Sequence, residues 1–204
     1  MPELKPRKLP RQTRSRASFD AILDGCARVL ERGGYESLTT NAVADAAGVG
    51  IGTLYDFFPN RESIVAALAE QRLERLAADV KNGLAEVAGR DAYQALDGLI
   101  RRIVRAVAAD RALYRVLLRE AVFVRESRET RRALEAFFEL GQLASRRAGK
   151  RIALPDPAAD VWLIGRVLAH AVLEIAWQRG EPSRERLIEA LVRLTYRMLV
   201  GRDP

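Results

Sequence analysis

Along nearly its whole length this chain repeats apolar residues at spacings of three and four, broken at intervals by glycine, proline, aspartate and asparagine. That period lines one face of an α-helix and does not suit a strand, whose side chains alternate every two residues. No alternating pattern longer than four residues occurs, and no internal repeat is found. The spacing predicts an all-α fold of about nine helices.

Stop and start residues divide the pattern. A helix is predicted from Ser15 or Ser18 to about Arg32, with Phe19, Ile22, Leu23, Cys26, Val29 and Leu30 on one face and Gly33-Gly34 as the left-handed stop. Thr39 caps a short helix through Val43, Ala44 and Ala47 that ends at Gly48. A second short helix starts near Gly50, and Pro59 closes it. Asn60 caps a longer one that carries Ile64, Leu68, Leu76 and Val80. Further helices follow from Asp91, from Asp110 and from about Glu126 to Gly149. Asp156-Pro157 opens the next, since proline at the first helical position forfeits no hydrogen bond. Ser183 opens the last, with Leu187, Leu191, Leu194 and Met198 inward.

Composition narrows the function. With one cysteine, Cys26, and one histidine, His170, the 204 residues hold no internal disulfide, no His/Cys zinc cluster and no second histidine for a catalytic or metal constellation. Cys26 lies on an apolar helix face and is expected to be buried and inert. No cofactor, no metal and no enzymatic activity are expected. Lys and Arg total 34 against 27 Asp and Glu, a net charge of +7 that suits a polyanionic partner. The first sixteen residues lack the apolar stretch of a signal peptide, and Arg166, His170 and Glu174 interrupt the longest apolar run, 161–177. A cytoplasmic protein without membrane contact is expected.

Two short helices joined through Ala47-Gly48-Val49 have the form of a helix-turn-helix, in which the second helix enters a DNA groove; an ordinary tight helical corner has the same spacing. Specificity comes from the wider pattern. Ile22-Leu23, Gly34-Tyr35, Leu38-Thr39-Thr40, Val43-Ala44, Ala47-Gly48-Val49, Gly52-Thr53-Leu54-Tyr55, Phe58 and Asn60-Arg61-Glu62 together resemble the N-terminal domain of the TetR family of transcriptional repressors. The resemblance covers about a quarter of the chain. It implies a three-helix DNA-binding domain at 17–66, preceded by a flexible basic arm at 1–16. A linking helix then leads into a helical effector-binding and dimerisation domain at 67–204.

By that resemblance, Thr40, Tyr55 and Arg61 occupy phosphate-contacting positions, which orient a protein on DNA without reading sequence. Asn41, Ile51, Gly52, Thr53 and Asp56 occupy positions that face base edges. Asparagine can pair with adenine, a threonine methyl can meet thymine, and a carboxylate can accept from cytosine. The chain departs from the family pattern at three places. Gly50 offers no side-chain cap, Phe57 offers no hydrogen bond to phosphate, and Asp56 brings a negative charge to the reading helix.

Residues 17–66 carry three basic and seven acidic side chains, a net of −4. The arm carries Lys5, Arg7, Lys8, Arg11, Arg14 and Arg16 against Glu3, a net of +5. The arm is therefore expected to supply most of the attraction to DNA, the alternative being a solvated tail. About three arm cations per subunit releasing counterions from phosphate would give a dimer a log–log salt slope near −5.

The helix at 156–177 is apolar nearly all round, so a second subunit is expected to cover it, with Val161, Leu173, Trp177, Leu187, Leu191, Leu194 and Met198 at the interface. A two-fold dimer presents its reading helices to half-sites about 34 Å apart, hence an inverted-repeat operator on double-stranded DNA. Arg166, His170 and Glu174 recur every fourth residue beside Trp162 and Trp177. They form either an ion-pair chain sealing an interface or, with Tyr93, Phe123 and Phe137, the wall of a pocket for an unknown small-molecule effector. Two other functions fit the same residues: a ligand-blind helical DNA binder, and a helical bundle that has lost DNA recognition.

Overall fold

A computed structural model describes residues 3–87, 90–117 and 154–200. Among them are eight α-helices: α1 (Thr13–Gly33), α2 (Thr40–Ala47), α3 (Ile51–Phe57), α4 (Arg61–Glu86), α5 (Ala92–Ala109), α6 (Arg111–Arg115), α7 (Pro157–Trp177) and α8 (Arg184–Val200). The described residues contain no strand, and the fold is all-α as expected. The expected helix from Glu126 to Gly149, which carries Phe137 and Phe138, lies outside the described residues, as does Phe123 before it.

Local chemistry sets the helix ends. The Thr39 hydroxyl accepts the Ala42 N–H at 3.1 Å and opens α2. Gly48 closes it at φ +68°, a left-handed conformation that glycine adopts without steric cost. The Asn60 side chain accepts the Ser63 N–H at 2.8 Å ahead of α4. Asp91 accepts from Tyr93 and Gln94 at the start of α5, and Asp156 caps α7 through the Ala159 N–H at 3.2 Å. Helix α1 begins earlier than Ser15, at Thr13. The Ser15 hydroxyl there accepts the Gln12 N–H, so the first turn takes in two cations of the expected arm, Arg14 and Arg16.

Two compact units divide the described residues. The first draws them from Met1–Glu74 and Ala112–Arg132, the second from Arg75–Arg111 and Ala133–Pro204. In the first, Ile22, Leu23, Cys26 and Leu30 of α1 pack with Val43, Leu54, Phe58, Ile64 and Leu68. Leu113, Val116 and Leu117 join that same core. Helices α1 and α2 come so close at Gly25 that a Cβ there would lie 2.9 Å from the Ala47 Cβ, the Ala47 nitrogen and the Val43 oxygen.

In the second unit α5, α7 and α8 pack together. Ile100, Val104 and Val107 are buried from α5, Val172, Ile175 and Ala176 from α7, and Ile188, Leu191, Val192 and Thr195 from α8. Arg102 of α5 pairs with Asp79 at 3.0 Å and Glu86 at 2.7 Å on α4. The inward face of α8 differs from the expected one. Leu191 belongs to it, but Leu194 and Met198 are exposed, and Ile188, Val192 and Thr195 do the packing. No described helix is long and apolar enough to cross a membrane.

Candidate nucleic-acid interface

Helix α3 has seven residues, too few to persist alone in water, so its attachment to the core decides where it points. Leu54 and Phe58 are fully buried and Phe57 nearly so. Phe19 of α1 holds the two phenylalanines, edge-on to Phe57 at 5.7 Å and tilted on Phe58 at 4.9 Å. Phe57, expected from the family pattern at a phosphate-facing position, is thus a core residue. Its ring anchors α3 from behind, a task for which an apolar ring suits better than a hydrogen-bonding side chain.

The opposite side of α3 is open. Ile51 and Tyr55 are each 40% exposed, Gly52 and Asp56 are exposed, and Thr53 is half-buried. A Cβ at Gly52 would touch nothing within 4 Å, leaving room for a close-approaching surface. Asn41 in the first turn of α2 is exposed as well. The Thr40 and Tyr55 hydroxyls hydrogen bond at 3.1 Å, which joins the first turn of α2 to α3 and sets the two hydroxyls expected to meet phosphate side by side. Seven of the eight expected DNA contacts therefore lie on or beside the open rim of α2 and α3.

Arg61 stands apart, because two of its five N–H donors already have partners within the chain, while its side chain stays 40% exposed. It donates to Glu62 at 3.1 Å and to the Leu38 carbonyl at 3.0 Å, and lies 4.9 Å from the Tyr35 ring centroid. The Tyr35 hydroxyl donates to the same Glu62 oxygen at 3.2 Å. Burial by itself raises the Glu62 carboxyl. The hydrogen bonds from its backbone amide, Arg61 and Tyr35, together with the Arg61 charge, outweigh that and hold it below the usual value. Burial, then the Glu62 charge, raises the Tyr35 phenol, and the bond to Glu62 raises the Arg61 guanidinium. This cluster bolts the start of α4 to the segment before α2.

The rim has a second support that the pattern of apolar residues did not reveal. Arg28 of α1 donates to the Ala46 carbonyl and thereby caps the end of α2 beside the turn. Gly50 supplies no side-chain cap to α3, as its lack of a side chain dictates.

The arm differs from a free tail. The Arg7 N–H donates to the Phe57 carbonyl at 2.7 Å, its guanidinium donates to the Tyr55 carbonyl at 3.2 Å, and the Lys8 ammonium stands 3.8 Å from Asp56. Lys5, Arg11, Arg14 and Arg16 are exposed.

The expected pocket residues that are described lie on two helices, Tyr93 on α5 and Trp162, Arg166 and His170 on α7. Tyr93 stacks edge-on with Tyr196 at 5.3 Å. Trp162, Arg166 and His170 are exposed on α7, with the Arg166 guanidinium 5.3 Å over the Trp162 ring, so the stripe points outward from the chain. Phe123 and Phe137 fall outside the described residues. Open grooves of about 510 and 420 Å³ do exist on the second unit, lined by Arg101 and Arg105 with Arg102 in one and Arg184 in the other.

Of the expected dimer residues, Leu191 is spent inside the chain, and Trp177 donates its indole N–H to the Arg111 carbonyl at 3.2 Å. Leu173 and Leu187 are half-buried, and the Val161 side chain is outside what is described. Leu194 and Met198 are exposed, joined by Trp162, Leu163 and Val167 of α7.

Comparison with known proteins places this geometry. The family model described as bacterial regulatory proteins, tetR family, matches residues 22–68, which span the end of α1 to the start of α4. The transcriptional repressor KstR of Mycolicibacterium smegmatis is 28% identical over 184 residues, covering 89% of this chain and 86% of KstR. A TetR-family transcriptional regulator from Streptomyces coelicolor superposes with a TM-score of 0.68 at 27% identity, over 90% of this chain and 96% of that one. The fatty acid degradation regulator FadR from Bacillus halodurans shares the fold at a TM-score of 0.72 and 19% identity, over 92% and 97% of the two chains.

Proposed function

We propose that the chain, whose residues 22–68 match the tetR family of bacterial regulatory proteins, is a DNA-binding transcriptional regulator of that family and acts as a homodimeric repressor that grips an inverted-repeat operator and releases it when a small molecule binds. One observation carries the reading: α3 is anchored by three buried side chains while its other side and the first turn of α2 form an open rim, joined through the Thr40–Tyr55 hydroxyl pair. Thr40 and Tyr55 hold phosphate, and Asn41, Ile51, Gly52, Thr53 and Asp56 meet base edges. Arg61 stiffens the rim from within through two of its donors, to Glu62 and to the Leu38 carbonyl. The task is binding, and no catalytic step is assigned to any residue.

The dimer follows from α7 and α8. Trp162, Leu163 and Val167 on one helix and Leu194 and Met198 on the other are large apolar side chains left in water on two helices that pack together. A water-soluble chain rarely leaves such a surface uncovered, and the same surface of a second copy covers it with two-fold symmetry. Two reading helices then address half-sites about one helical turn apart.

An effector would act by binding better to a dimer whose rims no longer match those half-sites, and it could shift the equilibrium only by its difference in affinity for the two states. The naming of one fold neighbour for fatty acid degradation makes acyl-chain compounds the first panel to screen. The grooves on the second unit are open, and two of their arginines, Arg101 and Arg102, are already paired. A ligand-blind regulator is accordingly the second reading, favoured if no compound shifts the melting temperature.

Selection of bound sequences from a random duplex pool tests the DNA-reading role. The expected result is an inverted-repeat consensus bound by two chains. An unordered pool, or a single half-site bound by one chain, contradicts it.

A further inference from the structure

The end of α3 is closed from outside its own stretch of chain. The last four carbonyls of a helix have no partner within it, and in a helix of seven residues these are more than half of all its carbonyls. The usual remedy, a glycine in the left-handed conformation just after the last turn, is missing: Phe58 follows with φ −127°, extended. Its N–H reaches Leu54 at 2.9 Å, which leaves Tyr55, Asp56 and Phe57. Two of those three carbonyls are taken by one residue 48 or more positions away, Arg7, through its backbone N–H to Phe57 at 2.7 Å and its guanidinium to Tyr55 at 3.2 Å.

Lys8 adds to the same contact. Its ammonium stands 3.8 Å from Asp56 and 5.2 Å from the centroid of the Phe57 ring. Two cations at the C-terminal end of a helix oppose the partial negative charge of its free carbonyls. Pro6 and Pro10 flank the pair. Each fixes its own φ and biases the residue before it toward extended backbone, which stiffens the arm on both sides of the contact.

We infer that Arg7 is a positioning residue for DNA reading: it caps α3 and holds the reading helix in place, while Lys8 supplies the counter-charge that lets Asp56 sit on that helix. The inference rests on the DNA-reading role of α3 and adds to it a division of labour within the arm. Arg7 and Lys8 face protein. All six arm cations are exposed, but Arg7 and Lys8 are the two that contact α3, which leaves Lys5, Arg11, Arg14 and Arg16 to meet phosphate.

A phosphate-binding arginine and a helix-capping arginine give different results on substitution. The test compares the full chain with Arg7→Ala and with a chain lacking residues 1–8, by amide hydrogen exchange of the free protein and by DNA affinity as a function of salt. A cap acts before DNA arrives, so Arg7→Ala speeds exchange in a peptide spanning Ile51–Phe58 by about fivefold, the equivalent of one net hydrogen bond, and the deletion speeds it further. Affinity for the selected duplex falls by a similar factor per subunit at every salt concentration, with the log–log slope of the Arg7→Ala protein unchanged.

Unaltered exchange in α3 overturns the inference. So does a slope that flattens by about 0.9 per subunit on Arg7→Ala, the signature of one lost phosphate contact. If the unaltered chain shows no sequence preference at all, the DNA-reading role itself falls, while the exchange result still decides whether Arg7 holds α3.

Discussion

Adding one methyl group at Gly25 measures how closely the first two helices must approach. Two effects oppose each other. Replacing a mid-helix glycine by alanine favours α1 by about 1 kcal/mol through backbone entropy. Against this, the new Cβ would stand 2.9 Å from the Ala47 nitrogen, the Ala47 Cβ and the Val43 oxygen, where about 3.5 Å or more is comfortable for carbon. Two of those three atoms are backbone of α2, so no rotamer change relieves the clash and the helix must move. Overpacking of this kind costs about 1–3 kcal/mol, more where backbone is involved. Moving α2 also pulls the Ala46 carbonyl away from Arg28, which costs about one further hydrogen bond. The net is a destabilisation of about 1–3 kcal/mol, or a melting temperature lower by about 3–9 °C for a chain of this size. Gly52→Ala serves as the internal comparison, because its Cβ meets nothing and the propensity gain stands alone. Thermal unfolding followed by circular dichroism, with urea titration for the free-energy difference, gives both values. If Gly25→Ala raises the melting temperature as Gly52→Ala does, the close packing of α1 on α2 is refuted.

Tyr55→Phe removes the hydroxyl that pairs with Thr40 and that meets phosphate in the proposed complex, so DNA affinity should fall about two- to tenfold for all sequences with the selected consensus unaltered, as anisotropy titrations on matched and scrambled duplexes would show. Arg61→Ala should lower stability at neutral pH by opening the contact with Glu62 and Leu38. Because the Glu62 carboxyl is held below its unfolded value, its contribution is present above that value and lost as pH falls through the lower folded one. The stability gap between Arg61→Ala and the unaltered chain should therefore narrow below about pH 4.5, and a gap that widens there would contradict the cluster. Burial pushes the Cys26 thiol up to about 12, so the folded chain should resist alkylation at pH 8 and react only on unfolding; fast labelling of the native protein would place Cys26 elsewhere.

Elements with a local cause were legible in the sequence. Thr39, Gly48, Asn60, Asp91 and Asp156 announced helix ends because capping is a contact between near neighbours, and each makes or adopts what its residue type favours. Composition shows the arm as flexible and basic, and nothing in a run of prolines and cations reveals that Arg7 will meet carbonyls 48 and 50 residues on. Arg61 and Phe57 were assigned by family position, but the partners that claim them, Glu62 with Leu38 and Phe19, come from neighbouring elements. On α7, an apolar helix with charges at every fourth residue has the same pattern whether the stripe faces a cavity or water. Only the packing of α5 and α8 on its other side shows Trp162, Arg166 and His170 pointing outward.

The central claim is that the open side of α3 tells one DNA sequence from another. Fluorescence anisotropy of the unaltered chain on its selected duplex, competed with a scrambled duplex of equal length and charge at near-physiological salt, tests it directly. The account predicts that the scrambled competitor displaces the protein only at about a thousandfold higher concentration or more. Equal competition by both duplexes would contradict it.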